Sequence, residues 1–164
     1  MIILKKRDIK IGITTGFNKD QMNIALELLK KHDIVPDVAV SSTCMYNTNR
    51  EMIGRPCPYM IYNIMDELNI SDPKKILKVD DTCVGIQEGK NAGCLTVGVA
   101  RWSINMGITK EEDLHNLSDK TIKEKLKKSR NILLKEDPTY LINTLDELQY
   151  CLDPLYLNLK KDIL

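Results

Sequence analysis

Lys78-Val79-Asp80-Asp81-Thr82-Cys83-Val84-Gly85-Ile86-Gln87-Glu88-Gly89 decides how this chain is read. The apolar residues Ile76, Leu77 and Val79 lead into two adjacent acids, and a glycine-punctuated helical stretch follows. That order describes a buried parallel strand whose carboxyl end opens into the crevice where α/β proteins bind ligands. Two carboxylates there are costly to bury unless a positive charge sits against them. A hard divalent cation such as magnesium, held by one or two carboxylates plus phosphate oxygens, is the usual solution. The structural alternative is a helix cap, with Asp81 capping the helix that follows.

Working outward, strand and helix signals alternate. Ile9 to Thr14 alternates apolar and polar residues before the Thr15-Gly16 turn, and so reads as a strand. Asn18 with Gln21 forms a capping-box pattern, and Met22, Ala25, Leu26 and Leu29 give the next helix one apolar face. Val38-Ala39-Val40 is a second strand, and a polar loop runs from Ser41 to Arg55. Pro56 and Pro58 open a helix with a core stripe of Ile61, Ile64, Met65 and Leu68. The third strand is Ile76 to Val79. Its helix runs to about Ala92, with Gly93 as C-cap. Leu95 to Val99 is the fourth strand, followed by a Gly107 turn and a charged helix from about Asp119 to Lys135. Tyr140-Leu141-Ile142 is a short strand candidate, and Thr144 caps a last helix containing Leu145, Leu148 and Leu152. Strands alternating with helices predict an α/β fold with a parallel sheet. The expected core domain covers residues 1–152, with a C-terminal tail over 153–164.

Composition narrows the function. With 164 residues, 29% charged, and a net charge of +1, no strong field argues for nucleic acid or membrane partners. Aromatic residues make up 5%, too few for a base-stacking surface, and no apolar run approaches membrane-spanning length. The five cysteines form no C-x-x-C pair, and His32 and His115 lie far from them, so a zinc site is not expected. Reduced thiols in a cytoplasmic protein fit best. Two further segments suit a phosphate site. Thr15-Gly16 places a hydroxyl and a glycine amide before a helix N-terminus, and Gly54-Arg55-Pro56-Cys57-Pro58 sets a cation at a helix mouth. Taken singly, Thr15 also fits a plain strand end and Arg55 a solvated loop arginine.

The wording of these segments resembles a known family. Gly12-Ile13-Thr14-Thr15-Gly16-Phe17, Gly54-Arg55-Pro56-Cys57-Pro58-Tyr59-Met60, Lys78-Val79-Asp80-Asp81-Thr82 and Glu88 to Ala100 resemble the phosphonoacetaldehyde hydrolases (phosphonatases) of the haloacid dehalogenase superfamily, from about Lys5 to about Leu148. The resemblance implies a Rossmannoid three-layer α/β fold with a parallel sheet. It implies that Thr15 and the Gly16 amide bind phosphate, that Arg55 orients the nucleophile and neutralises the phosphoryl group, and that Asp81 binds Mg2+ with Asp80 as an auxiliary acid. Many superfamily members place another acid four residues after the main one, where this chain has Gly85. Asp80 or a water is then the candidate for that role.

The implied reaction is hydrolysis of the carbon–phosphorus bond of phosphonoacetaldehyde. A cap lysine forms a Schiff base with the aldehyde, an aspartate attacks phosphorus, acetaldehyde leaves, and water releases phosphate. The family's nucleophile belongs to an N-terminal D-x-x-G-T strand and the lysine to a cap inserted after it. No D-x-x-G-T occurs in this sequence, and Met1 to Lys10 match the helix just before the second-motif strand. The expected core therefore lacks the nucleophile strand and the cap, and the chain alone is expected to be inactive, weakly stable and poorly soluble. Two readings stay open: an enzyme portion completed by a separately encoded N-terminal fragment, or a non-catalytic remnant or phosphate-binding module. A fragment of another phosphatase of the superfamily is a third.

Overall fold

The computed structural model of the chain describes residues 2–44, 49, 53–108 and 116–153. The expected tail, apart from Asp153, and positions 45–48 and 50–52 of the expected polar loop lie outside the described residues. The chain divides into two compact units, Met1–Ile76 with Asn91–Cys94, and Leu77–Lys90 with Leu95–Leu164.

The first unit is built on a parallel pair, β1 (Gly12–Thr15) and β2 (Val38–Ser41), in register from Gly12↔Val38 to Thr15↔Ser41. Ahead of β1 lies the short helix α1 (Ile2–Lys6). β1 starts later than the alternation from Ile9 implies. Asp8 turns into the left-handed region (φ 54), and the Ile11 carbonyl accepts from Asp37 N and Val38 N at 2.8 and 3.3 Å, so pairing begins only at Gly12. α2 (Lys19–Lys30) carries the expected capping box: Asn18 accepts from Gln21 N at 2.9 Å, and Gln21 Oε1 accepts from Asn18 N at 3.0 Å. α3 (Tyr59–Glu67) buries Met60, Ile61 and Ile64. One side of that stripe packs on Val40 and Val38, and the other on Ala92, Cys94 and Ile76.

The second unit holds a parallel sheet of β3 (Leu77–Asp80), β4 (Leu95–Val99) and β5 (Tyr140–Ile142), in the order β3-β4-β5. β3 begins one residue later than predicted, because the Ile76 amide closes a 3-10 turn over Pro73–Lys75 and is lost to the ladder. α4 (Cys83–Asn91) and α5 (Asp119–Leu134) follow β3 and β4. Ile86 and Leu133 of these helices pack with Ala100 and Leu141. Val97 and Val99 instead join Ile142, Cys151 and Leu148, where Thr144 precedes a 3-10 turn and residues 148–153 continue as helix. Burial on both faces explains why β4 reads as a nearly unbroken apolar run.

β1 pairs with β2 alone, and β3 with β4 alone. Each of these two strands therefore presents a row of backbone donors and acceptors on its other side among the described residues.

Candidate functional site

In the first unit the hydroxyl and the cation lie at the end of β1. Thr15 Oγ1 accepts from Phe17 N at 3.1 Å, which uses an acceptor position and leaves the hydroxyl proton to donate. The Gly16 carbonyl accepts from the buried Ser42 hydroxyl at 3.1 Å, which pins the turn. A Cβ on Gly16 would meet nothing within 4 Å, so local packing does not demand glycine there. The residue itself is exposed. Arg55 is half-buried. Its Nη2 donates to the Thr14 carbonyl and, at 3.1 Å, to Thr14 Oγ1. The arginine is therefore not a solvated loop residue, because its guanidinium is anchored on the residue preceding Thr15. The Arg55–Pro56 peptide bond is cis. Asn91 Nδ2 donates to the Pro56 carbonyl at 2.9 Å and holds the next residue of this loop.

In the second unit the two acids have different surroundings. The Asp80 side chain is 7% exposed. Its Oδ1 accepts from Thr82 N at 3.0 Å and from Thr82 Oγ1 at 2.7 Å, and its Oδ2 faces Lys78 Nζ at 3.3 Å. Asp81 is partly buried, and its carbonyl accepts from the fully buried Ser103 hydroxyl at 2.6 Å. That hydroxyl also accepts from Asn105 N at 3.2 Å and Asn105 Nδ2 at 3.0 Å, so the loop after β4 braces the acid's backbone. Replacing Ser103 with alanine strands this carbonyl and is expected to cost about 1–3 kcal/mol. The check is a lower urea midpoint at unchanged m-value.

Sequence reading missed the group beneath the acids. Lys78 Nζ also lies 2.9 Å from Glu88 Oε2, and the Glu88 side chain is fully buried. An ammonium thus sits between two carboxylates in the interior of the second unit. Gly85 and Gly89, four residues apart on α4, make this possible. A Cβ on Gly89 would stand 2.8 Å from Cβ and Cγ of Lys78, and one on Gly85 would stand 2.0 Å from Cγ of Asp80. The glycine at 85, where the resemblance leads one to expect an acid, is thus required by the Asp80 carboxylate. Two glycines inside a helix, each costing roughly 0.5–1 kcal/mol against alanine, were the available signal.

Among the described residues no group of three or more His, Cys, Asp and Glu side chains could hold an ion. The Asp81 carboxylate is the type of donor a hard cation takes alongside water and phosphate, whereas both Asp80 oxygens are already engaged by Thr82 and Lys78. Burial pushes the Cys83 and Cys151 thiols up, helped by Glu136 and Glu147 respectively, so neither is poised as a thiolate nucleophile. Among the described residues no helix is long and apolar enough to cross a membrane.

Residues 1–99 match the haloacid dehalogenase-like hydrolase family model. The phosphonoacetaldehyde hydrolase of Bacillus mycoides is 34% identical over 146 residues, 89% of this chain and 53% of that protein. Its Vibrio vulnificus counterpart is 36% identical over 143 residues, 87% of this chain and 50% of that protein. The crystal structure of a phosphonoacetaldehyde hydrolase-like protein from Oleispira antarctica aligns with a TM-score of 0.82 at 28% identity, over 93% of this chain and 53% of that one. The chain spans about half the length of the curated relatives it matches. With its parallel α/β architecture, it belongs to the haloacid dehalogenase-like hydrolase family.

Proposed function

We propose that this chain is the phosphate- and magnesium-binding portion of a phosphonoacetaldehyde hydrolase-type enzyme, acting in the cytoplasm on a small phosphonate or phosphate. The observation that carries this reading is the anchoring of Arg55 on Thr14, next to a Thr15 hydroxyl that keeps its proton to donate. An anchored guanidinium fork, a hydroxyl and a glycine amide gathered at one strand end suit a phosphoryl oxygen. Alignment with phosphonoacetaldehyde hydrolases over nearly the whole chain supports the same substrate class.

Within this reading each residue has one task. Thr15 donates its hydroxyl proton, and Gly16 its amide, to phosphoryl oxygens. Arg55 offsets the charge that develops as the carbon–phosphorus bond breaks. Asp81 holds Mg2+, and Asp80 stands beside it as the auxiliary acid. Magnesium, when bound, neutralises phosphoryl charge as a Lewis acid. The attacking aspartate and the Schiff-base lysine are assigned to a segment of the same superfamily outside these residues, since no D-x-x-G-T occurs in this sequence. The chain by itself is therefore inactive in this account.

Calorimetric titration with inorganic phosphate in the presence of Mg2+ tests the grip. The wild-type chain should bind phosphate, and Arg55→Ala should weaken binding about tenfold or more, the loss of a hydrogen-bonded charge worth about 1.5–3 kcal/mol. Equal affinity in the two proteins, or no binding by either, would count against it. The second reading, a phosphate-binding module without catalysis, gives the same titration but no turnover with any partner.

A further inference from the structure

Among the described residues, five that are not glycine have a positive φ: Asp8, Asp33, Asn69, Trp102 and Asp137. Four are aspartate or asparagine, whose short polar side chains settle readily in the left-handed region. A bulky side chain there is an outlier. Trp102, the chain's single tryptophan, sits at φ 69 in the loop after β4. Its neighbours explain the backbone. The Arg101 amide donates to the Asn143 carbonyl at 2.9 Å, and the Ser103 hydroxyl donates to the Asp81 carbonyl at 2.6 Å. Residue 102 turns the chain between these two fixed points, a turn for which glycine is the ordinary choice. The turn gives no reason for an indole. Trp102 is 49% exposed and joins neither core cluster of the second unit. Folding gains little from the side chain, while the backbone beneath it is strained. An outlier of that kind points to function.

The place of the loop narrows the task. β3 and β4 run parallel with Asp80 opposite Gly98, so the loop leaving β4 emerges at the end of the sheet that carries Asp81. Open parallel sheets bind their ligands outside those carboxyl ends. Ser103 further ties the residue next to the indole to the backbone of Asp81. We propose that Trp102 is a specificity-determining residue, whose indole forms an apolar wall beside Asp81 for the organic side of a phosphoryl compound. This rests on the reading of Asp81 as the acid of a magnesium and phosphoryl site. The anionic end of the ligand meets the metal. The indole takes the carbon end, to which it offers apolar area and a flat face. Inorganic phosphate has no carbon end, so the wall favours phosphonates and phosphate esters over it.

The test titrates phenylphosphonate and inorganic phosphate, each with Mg2+, into the full chain as wild type and as Trp102→Gly. With one tryptophan, intrinsic emission in the wild type reports on residue 102 alone. Phenylphosphonate should move that emission to shorter wavelength, saturating over the same concentrations as the calorimetric binding curve. Phosphate should move it far less. Wild type should bind phenylphosphonate in preference to phosphate, and Trp102→Gly should reduce that preference by about three- to tenfold, the range of one aromatic pair. Glycine relieves the left-handed turn, so the variant should melt no more than about 2–4 °C below wild type. A larger fall makes Trp102 a packing residue and overturns the wall. So does phenylphosphonate binding that leaves the emission unmoved, or a preference that Trp102→Gly does not change. If wild type binds neither ligand with Mg2+, or Asp81→Asn binds both as wild type does, the Asp81 reading fails and the wall falls with it.

Discussion

Glu88→Ala should destabilise the chain by about 3–5 kcal/mol, the range observed when one partner of a buried ion pair is removed. Glu88 is fully buried and Lys78 is 10% exposed, so solvent cannot take over the lost partner. Asp80 lies farther from the ammonium, at 3.3 Å, and also accepts from Thr82. Small domains have only about 5–15 kcal/mol of stability in total, so the alanine variant should populate its unfolded state visibly. Two companion variants separate charge from packing. Glu88→Gln keeps the shape and should cost less, about 1–3 kcal/mol. Lys78→Met with Glu88→Leu removes these two charges but leaves the buried Asp80 carboxylate without its ammonium, and should cost at least as much as Glu88→Ala alone. Urea unfolding reads all three. A Glu88→Ala midpoint within error of wild type would mean that the lysine is solvated and that the buried group of charges does not exist in solution.

Arg55→Ala should reduce turnover of the completed enzyme by on the order of 10²–10³-fold, the loss typical when a preorganised donor to developing charge is removed. The folded chain itself should lose far less. The two Arg55 bonds reach the carbonyl and hydroxyl of a single residue, Thr14, so a decrease of about 1–3 kcal/mol is expected from them. Arg55→Lys retains the charge but not the planar fork, and should recover stability better than activity. If Arg55→Ala lowered turnover only in proportion to the folded fraction, the arginine would be a structural staple for β1 and the phosphate grip would fail.

Much of this architecture is legible in the sequence, because each element announces itself locally. The Asn18–Gln21 capping box, the apolar run from Leu95 to Val99 and the helix stop at Gly93, with its φ of 81, all carry their own signal. Thr15, Arg55 and Asp81 are likewise visible, as polar groups placed just where strands or loops meet helices. The rest depends on tertiary approach. Lys78 alternates with apolar neighbours and so reads as the outward face of a half-buried strand, and Glu88 reads as an ordinary helix surface residue. Only the spacing of Gly85 and Gly89 brings α4 close enough to bury both. The strand ends shift for a similar reason. The backbone groups of Ile11 are claimed by Asp37 and Val38 and the Ile76 amide by the turn over Pro73–Lys75, which periodicity does not register. The Asp80-Asp81 pair is legible as acids, whereas their different surroundings are not. Those are set by the hydrogen bonds of Thr82 and Ser103.

The central claim is that this chain supplies the phosphate grip and the metal acid of a phosphonoacetaldehyde hydrolase-type site whose nucleophile comes from elsewhere. Acetaldehyde release from phosphonoacetaldehyde measures it directly. The chain is assayed alone and together with a polypeptide carrying a D-x-x-G-T strand and a cap lysine, each with and without Mg2+. Neither part alone should release acetaldehyde, and the mixture should show magnesium-dependent release that is lost in Asp81→Asn. Release by this chain alone, or a mixture that forms a stable complex yet stays inactive with Mg2+, would contradict it.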